Sequence, residues 1–163
     1  MRFMYLLLLA MPAVFGADKN WSKQDGKFAV FEAPPGMIGG RAGMGVDTIQ
    51  QYYHSPEITF GFDSEASTLP QPLQKELERT IAVWTAQRIH DWAQSTYVEE
   101  GGAIHGDADD KDAIKWYNMR YYLYFGFAVP EGNFSLHIRF NNLDRLDDIE
   151  RMLKSIRLKT KKA

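Results

Sequence analysis

The clearest pattern along the chain is a strict alternation of apolar and polar side chains in its second half. Within a strand expected over residues 115–129, one set of alternate positions is apolar or aromatic from 117 to 129, and residues 134–140 repeat the pattern after the polar spacer 130–133. A period of two predicts β-strands with one buried face, and the spacer predicts a hairpin. A four-residue turn would place Tyr124 opposite Arg139 and make the two apolar faces coincide.

Shorter apolar runs predict further strands. They cover residues 27–33, 50–53 and 58–62, and another strand is expected to start within residues 97–103. The segment 36–45 contains five glycines and follows two prolines, so it is expected to be a flexible surface loop.

Two stretches instead follow the helical period. Residues 73–93 predict a long central helix, and residues 143–156 predict a C-terminal helix that Asn142 or Asn141 can cap. The apolar stripe of the first helix is Leu73, Leu77, Ile81, Trp84 and Trp92, with Arg88 in the same arc. The stripe of the second is Leu143, Leu146, Ile149, Leu153 and Ile156. This order of elements predicts an α+β fold, in which an antiparallel β-sheet packs against both helices.

The N-terminus has the layout of a secretory signal peptide. Arg2 precedes an apolar run over residues 3–11, and small residues around Gly16 offer a cleavage site. We therefore predict a signal peptide over residues 1–16 and export to the periplasm or the extracellular medium. The rest of the chain is expected to form a polar leader (17–26), a single globular domain (27–158) and a basic tail (159–163).

Composition narrows the possible chemistry. The 163-residue chain has no cysteine and a net charge of −2. The absence of cysteine excludes disulfides, thiolate zinc sites and cysteine nucleophiles within this sequence. The near-neutral charge gives no basic field for nucleic acid and no polybasic membrane patch, so we expect neither nucleic-acid binding nor stable membrane insertion once the signal peptide is removed.

Three pieces of the sequence resemble a known type of exported domain. They are the early strand ending in Pro34-Pro35-Gly36, the segment 45–63 with its alternating core, and the ending from Ser135 to Arg157, which closes on Ser155-Ile156-Arg157. Together they resemble PsbP-like and DcrB-like domains over most of the chain after the signal peptide. The resemblance implies an α/β/α sandwich and an accessory or interaction role, and it supplies no catalytic residues. The long central helix departs from that pattern.

Motifs for catalysis and metal binding are missing from the sequence. The glycine-rich segment lacks the spacing of a phosphate loop, and no Gly-x-Ser-x-Gly elbow occurs. The four histidines do not pair at helical spacing, and the acidic segment 107–112 lacks the glycine of a calcium loop. We therefore predict no catalytic residues, no metal site and no cofactor.

The polar face of the hairpin is the most informative surface. Aromatic residues beside arginine are enriched in recognition surfaces. The candidate binding residues are Trp116, Arg120, Tyr122, Tyr124, His137 and Arg139. The alternative is that a helix covers this face and that the tyrosines belong to the core.

These observations favour an exported, non-catalytic binding or interaction protein, such as an accessory subunit or an inhibitor, with another protein as its partner. Two alternatives stay open at this point. One is an immunity protein against a secreted toxin, and the other is a small hydrolase that uses dispersed histidines and carboxylates.

Overall fold

Strands with alternating apolar and polar side chains form the larger of two antiparallel sheets in this protein. The computed structural model describes residues 21–88, 103–107 and 121–161. In these ranges it is a mixed α+β structure with two antiparallel sheets and two α-helices, which confirms the predicted class. The strands are β1 (Ser22–Asp25), β2 (Ala29–Ala33), β3 (Ile38–Gly39), β4 (Gly43–Met44), β5 (Ile49–His54), β6 (Ile58–Ser64), β7 (Ala103–Asp107), β8 (Tyr121–Val129), β9 (Gly132–Phe140) and β10 (Arg157–Leu158). The helices are α1 (Leu73–Arg88) and α2 (Leu146–Ser155).

The larger sheet joins two hairpins side by side. Its strand order is β3-β5-β6-β9-β8-β7, and β4 also pairs with β5. The β5–β6 hairpin meets the β8–β9 hairpin through the antiparallel pairing of β6 with β9, which aligns Phe60 with Ile138 and Gly61 with His137. This long-range pairing brings polar side chains from both hairpins onto one face.

The other face of this sheet is the core. Phenylalanine, leucine and isoleucine side chains at alternate positions of β6, β8 and β9 are buried there. The smaller sheet, of order β1-β2-β10, and both helices cover them. Phe31 of β2 packs edge-on against Phe60, with ring centroids 4.9 Å apart, and Trp84 of α1 packs edge-on against Phe125 at 6.1 Å. Within the described residues, α1 and the smaller sheet therefore pack on the same side of the larger sheet.

The hairpin register differs from the predicted one by two residues. Val129 pairs with Gly132, so Pro130 and Glu131 alone form the turn. Tyr124 consequently lies opposite His137, and Arg139 lies opposite Tyr122. The predicted pairing of Tyr124 with Arg139 is wrong. The predicted faces are right, because a shift by an even number of residues leaves every side chain on its own side of the sheet.

Helix α1 buries its predicted stripe from Leu73 to Trp84. The predicted continuation to residue 93, with Trp92, lies outside the described residues, as does the side chain of Arg88. A 3-10 turn over Leu143–Arg145 precedes α2, and the side chain of Asn142 accepts a hydrogen bond from the Asp144 amide, which confirms the predicted cap. In the C-terminal stripe, Leu143 is exposed and Met152 is buried instead, because the 3-10 turn changes the periodicity at the helix start.

Two segments expected to be loose are paired into sheets. Residues 22–25 of the predicted leader form β1, and the glycine-rich segment contributes β3 and β4. After the C-terminal helix, residues 157–158 form the short strand β10. β1 is an edge strand with largely exposed side chains, so its polar sequence gives no alternating signal. Asp107, the first residue of the acidic segment 107–112, is the last residue of β7, and residues 108–112 lie outside the described residues.

Other predictions lie outside the described residues. They concern the signal peptide over residues 1–16, most of the strand expected at 97–103, and the hairpin residues 115–120. Neither helix in the described part of the chain is long and apolar enough to cross a bilayer.

Candidate functional site

The face of the larger sheet opposite the core carries a continuous set of polar and aromatic side chains. We call it the outer face. Strand pairing fixes its members, because residues in register across antiparallel strands point to the same side. Its described residues are Gln50, Tyr52 and His54 on β5, Thr59, Gly61 and Asp63 on β6, Tyr122, Tyr124 and Gly126 on β8, and Ser135, His137 and Arg139 on β9.

His137 stands at the centre of the outer face with both ring nitrogens engaged. Its Nδ1 lies 2.8 Å from the hydroxyl oxygen of Tyr122, and its Nε2 lies 2.9 Å from Oγ of Ser135. A neutral imidazole has one donor and one acceptor nitrogen, so the two hydroxyls play opposite hydrogen-bonding roles. These two contacts fix the orientation of the ring.

Burial lowers the pKa of His137, because desolvation disfavours the imidazolium form. The neighbouring guanidinium of Arg139 acts in the same direction, whereas the carboxylate of Asp63 opposes it. His137 is therefore neutral at pH 7, and its ring can act as both donor and acceptor.

Aromatic rings pack around this histidine. The ring of Tyr124 meets His137 edge-on at 5.0 Å, and Tyr122 stacks beside Tyr124 at 6.4 Å. The guanidinium carbon of Arg139 lies 5.4 Å from the centre of the Tyr122 ring, within cation–π range. The two tyrosines, His137 and Arg139 thus form one packed cluster on β8 and β9.

A second pair of rings comes from β5. Tyr52 and His54 stack with their centroids 6.3 Å apart. The Tyr52 ring lies over Gly61 so closely that a Cβ atom at that glycine would stand 2.3 Å from two of its ring carbons. Gly61 therefore provides the space in which Tyr52 lies against the sheet, next to the position of His137.

Between these groups lies a groove of about 390 Å³. Its volume falls within the range of ligand-binding clefts. Its described walls carry aromatic surface, imidazole nitrogens, two hydroxyls and a guanidinium, and no carboxylate. The lining residues are Tyr52, His54, Thr59, His137 and Arg139.

The structure brings together four of the six predicted site residues: Tyr122, Tyr124, His137 and Arg139. The other two, Trp116 and Arg120, lie outside the described residues. Tyr52, His54 and Thr59 also line the groove and are not among the predicted site residues. The alternation in β5 and β6 places these three on one face, but only the β6–β9 pairing brings that face beside His137.

The cluster contains one contact typical of nucleophilic catalysis, between Ser135 and His137. Ser135, however, is buried and does not line the groove. A serine nucleophile must reach its substrate. Among the described residues, no group of three or more histidines, aspartates and glutamates is placed to hold a metal ion.

Comparisons with protein-family models, with curated proteins and with solved structures return no match for this chain. Its function must therefore be inferred from the geometry of the outer face.

Proposed function

We propose that this protein is an exported, non-catalytic binding protein that holds a partner protein on its outer face. The observation that carries the proposal is the groove formed by Tyr52, His54, Thr59, His137 and Arg139, beside the packed rings of Tyr122 and Tyr124. Tyrosine and arginine, like tryptophan, are enriched among the residues that dominate binding energy at protein interfaces.

The rigidity of this surface favours recognition. The hydrogen bonds of His137 and the contact of Tyr52 with Gly61 hold the rings of His137, Tyr122 and Tyr52 in place before any partner arrives. Side chains that are already ordered lose little conformational entropy on binding, so more of the contact energy is available as affinity.

Several kinds of partner fit this proposal. An accessory subunit, an inhibitor and an immunity protein all act by holding another protein, and the groove does not favour one of the three. The proposal of export rests on the signal-peptide pattern of residues 1–16.

We also propose the PsbP-like or DcrB-like architecture as the finer description of the fold. The antiparallel sheet, the pairing of the early strand β2 with the C-terminal β10, and the ending Ser155-Ile156-Arg157 are consistent with it. A second layer of this sandwich would have to leave the groove open, so an experimental structure of the whole chain with a helix over Tyr52, His54 and Arg139 would contradict binding at the outer face.

A hydrolase is the second candidate, because Oγ of Ser135 lies 2.9 Å from Nε2 of His137. Burial of Ser135 and the engagement of Nδ1 by Tyr122 count against it. Turnover of an activated ester that is lost in both Ser135→Ala and His137→Gln, with folding intact, would establish hydrolysis.

A photo-crosslinking amino acid at His54 tests the binding proposal in the cells that make the protein. His54 is exposed and lines the groove. A matched probe at Lys75, exposed on α1, serves as the control. We expect one discrete protein adduct from position 54 that is missing from position 75. Adducts from 75 alone, or the same adducts from both positions, would overturn the proposal.

A further inference from the structure

A second concave surface lies where the C-terminal segment crosses two other parts of the chain. We call it the lysine groove. It has a volume of about 340 Å³ and shares no residue with the outer face. Its rim carries three lysines and three hydroxyl side chains over an apolar floor. The lining residues are Lys27, Phe28, Ser67, Thr68, Leu69, Lys159, Thr160 and Lys161.

Backbone hydrogen bonds hold the three segments of this groove together. The Lys159 amide donates to the carbonyl of Phe28 at 2.7 Å, and the Lys161 amide donates to that of Leu69 at 2.9 Å. The Lys27 amide donates to Oε1 of Gln51 at 2.7 Å. Each lysine therefore projects from a fixed position, although residues 27, 67–69 and 159–161 are far apart in sequence.

The charge of the lysine groove is strongly positive. Among the residues that the structure describes, no carboxylate lines it. Lys159 forms an ion pair with the exposed carboxylate of Asp25, whose pKa is lowered through this hydrogen bond. Three lysines and this one aspartate leave an excess of two positive charges, of which Lys27 and Lys161 are the source.

We propose that the lysine groove binds a phosphate-type oxyanion. Ammonium groups act as point charges for phosphate, and hydroxyls can donate further hydrogen bonds to its oxygens. Ser67, Thr68 and Thr160 supply those hydroxyls, and the buried rings and methyls of Phe28 and Leu69 form the floor. The oxyanion belongs either to a free phosphate or to an anionic lipid headgroup.

The variant Lys27→Gln/Lys161→Gln tests this site, with Lys23→Gln/Lys75→Gln as a control of equal charge outside the groove. Amide resonances of the ¹⁵N-labelled protein are followed during titration with inorganic phosphate. In parallel, the protein is sedimented with phosphatidylglycerol vesicles and with phosphatidylcholine vesicles. Thermal melting of each variant checks that the fold is retained.

We expect the amide resonances of Lys27, Thr68 and Lys161 to shift saturably with phosphate, or the protein to sediment with phosphatidylglycerol vesicles and not with phosphatidylcholine vesicles. The groove variant should weaken this binding by roughly tenfold or more, whereas the control should change it little. Phosphate binding without sedimentation identifies a free anion, and sedimentation without phosphate binding identifies a lipid headgroup. Absence of both, or equal loss in the two variants, would overturn the proposal. Because the residues differ, this result is independent of partner binding at the outer face.

Discussion

Tyr122 and His137 are joined by a diagonal hydrogen bond between neighbouring strands. The register places Arg139 opposite Tyr122 and Tyr124 opposite His137, yet the Tyr122 hydroxyl lies 2.8 Å from Nδ1 of His137. The same Tyr122 ring lies within cation–π range of the Arg139 guanidinium. One tyrosine therefore orients both functional side chains that β9 contributes to the groove.

Removing the Tyr122 hydroxyl should loosen this arrangement. In Tyr122→Phe, the half-buried His137 loses its Nδ1 partner, so we expect the free energy of unfolding to fall by about 1 kcal/mol. Urea denaturation measures this change. Tyr124→Phe is the matched control. The Tyr124 ring contacts His137 through its edge, and phenylalanine keeps that contact, so the free energy of unfolding should fall much less. Equal losses in the two variants would contradict the assigned role of Tyr122.

Stability should depend on the protonation of His137. Its folded-state pKa lies below the ordinary 6.5, chiefly through burial, so the unfolded chain binds the proton more readily. This contribution therefore makes stability fall as the pH drops below about 6.5 towards the folded-state pKa, and it vanishes above that range. Among the described residues, Asp63 and Arg139 act electrostatically on this ring, and Tyr122 and Tyr124 are the ionisable side chains in contact with it.

The measurement is a comparison of wild type with His137→Gln by urea unfolding at pH 7.5 and pH 5. We expect wild type to lose more stability than the variant between these two values. A pH dependence that is unchanged in the variant would show that His137 is not the group responsible.

The contact between Gly61 and Tyr52 predicts a sharp steric effect. An alanine methyl at position 61 would overlap the Tyr52 ring at 2.3 Å, so Gly61→Ala should displace the ring and cost about 1–3 kcal/mol of unfolding free energy. Gly43→Ala is the control, because a Cβ at Gly43 meets nothing within 4 Å. Differential scanning calorimetry on the two variants checks this prediction, and a similar melting temperature for both would refute it.

Loss of the Tyr53 hydroxyl, on the core side of β5, should stabilise the protein. Among the described residues, that oxygen is buried without a hydrogen-bond partner, and burial, together with the charge of Asp25, raises the pKa of Tyr53 to about 12. Tyr53→Phe removes a buried polar atom, so the free energy of unfolding should rise by about 1 kcal/mol at pH 7.

Tyr53→Phe should also change how the free energy of unfolding depends on pH at alkaline values. The unfolded chain releases the Tyr53 proton near pH 10 and the folded chain does so only near 12, so wild type loses stability between these values. Spectrophotometric titration should show one late-titrating tyrosine that is missing from the variant. A variant that is less stable than wild type at pH 7 would mean that the hydroxyl has a partner.

The sequence predicts the faces of the hairpin more reliably than its register. Alternation identifies which side chains of β8 and β9 are buried, and that property survives a shift of two residues. The position of the turn depends instead on Gly132, whose φ of 133° suits glycine and lets it pair with Val129. The sequence pattern does not distinguish this two-residue turn from a longer one.

Only part of the candidate site could be predicted from the sequence, because alternation within one hairpin does not show which other strands lie beside it. Tyr122, Tyr124, His137 and Arg139 belong to one hairpin, so local alternation groups them. Tyr52, His54 and Thr59 join them through the pairing of β6 with β9, which links residues 70 or more positions apart. Pairing at that distance depends on the packing of the whole core and leaves no local signal.

The most direct test of binding at the outer face compares two arginines that both lie over aromatic rings. Arg139 lies over Tyr122 in the groove, and Arg151 of α2 lies over Trp21 outside it. The measurement is the dissociation constant of the crosslinked partner, once purified, for Arg139→Gln and Arg151→Gln. Binding through the outer face predicts at least about tenfold weaker affinity for the first and an unchanged affinity for the second. Full affinity in Arg139→Gln, or equal losses in both variants, would contradict it.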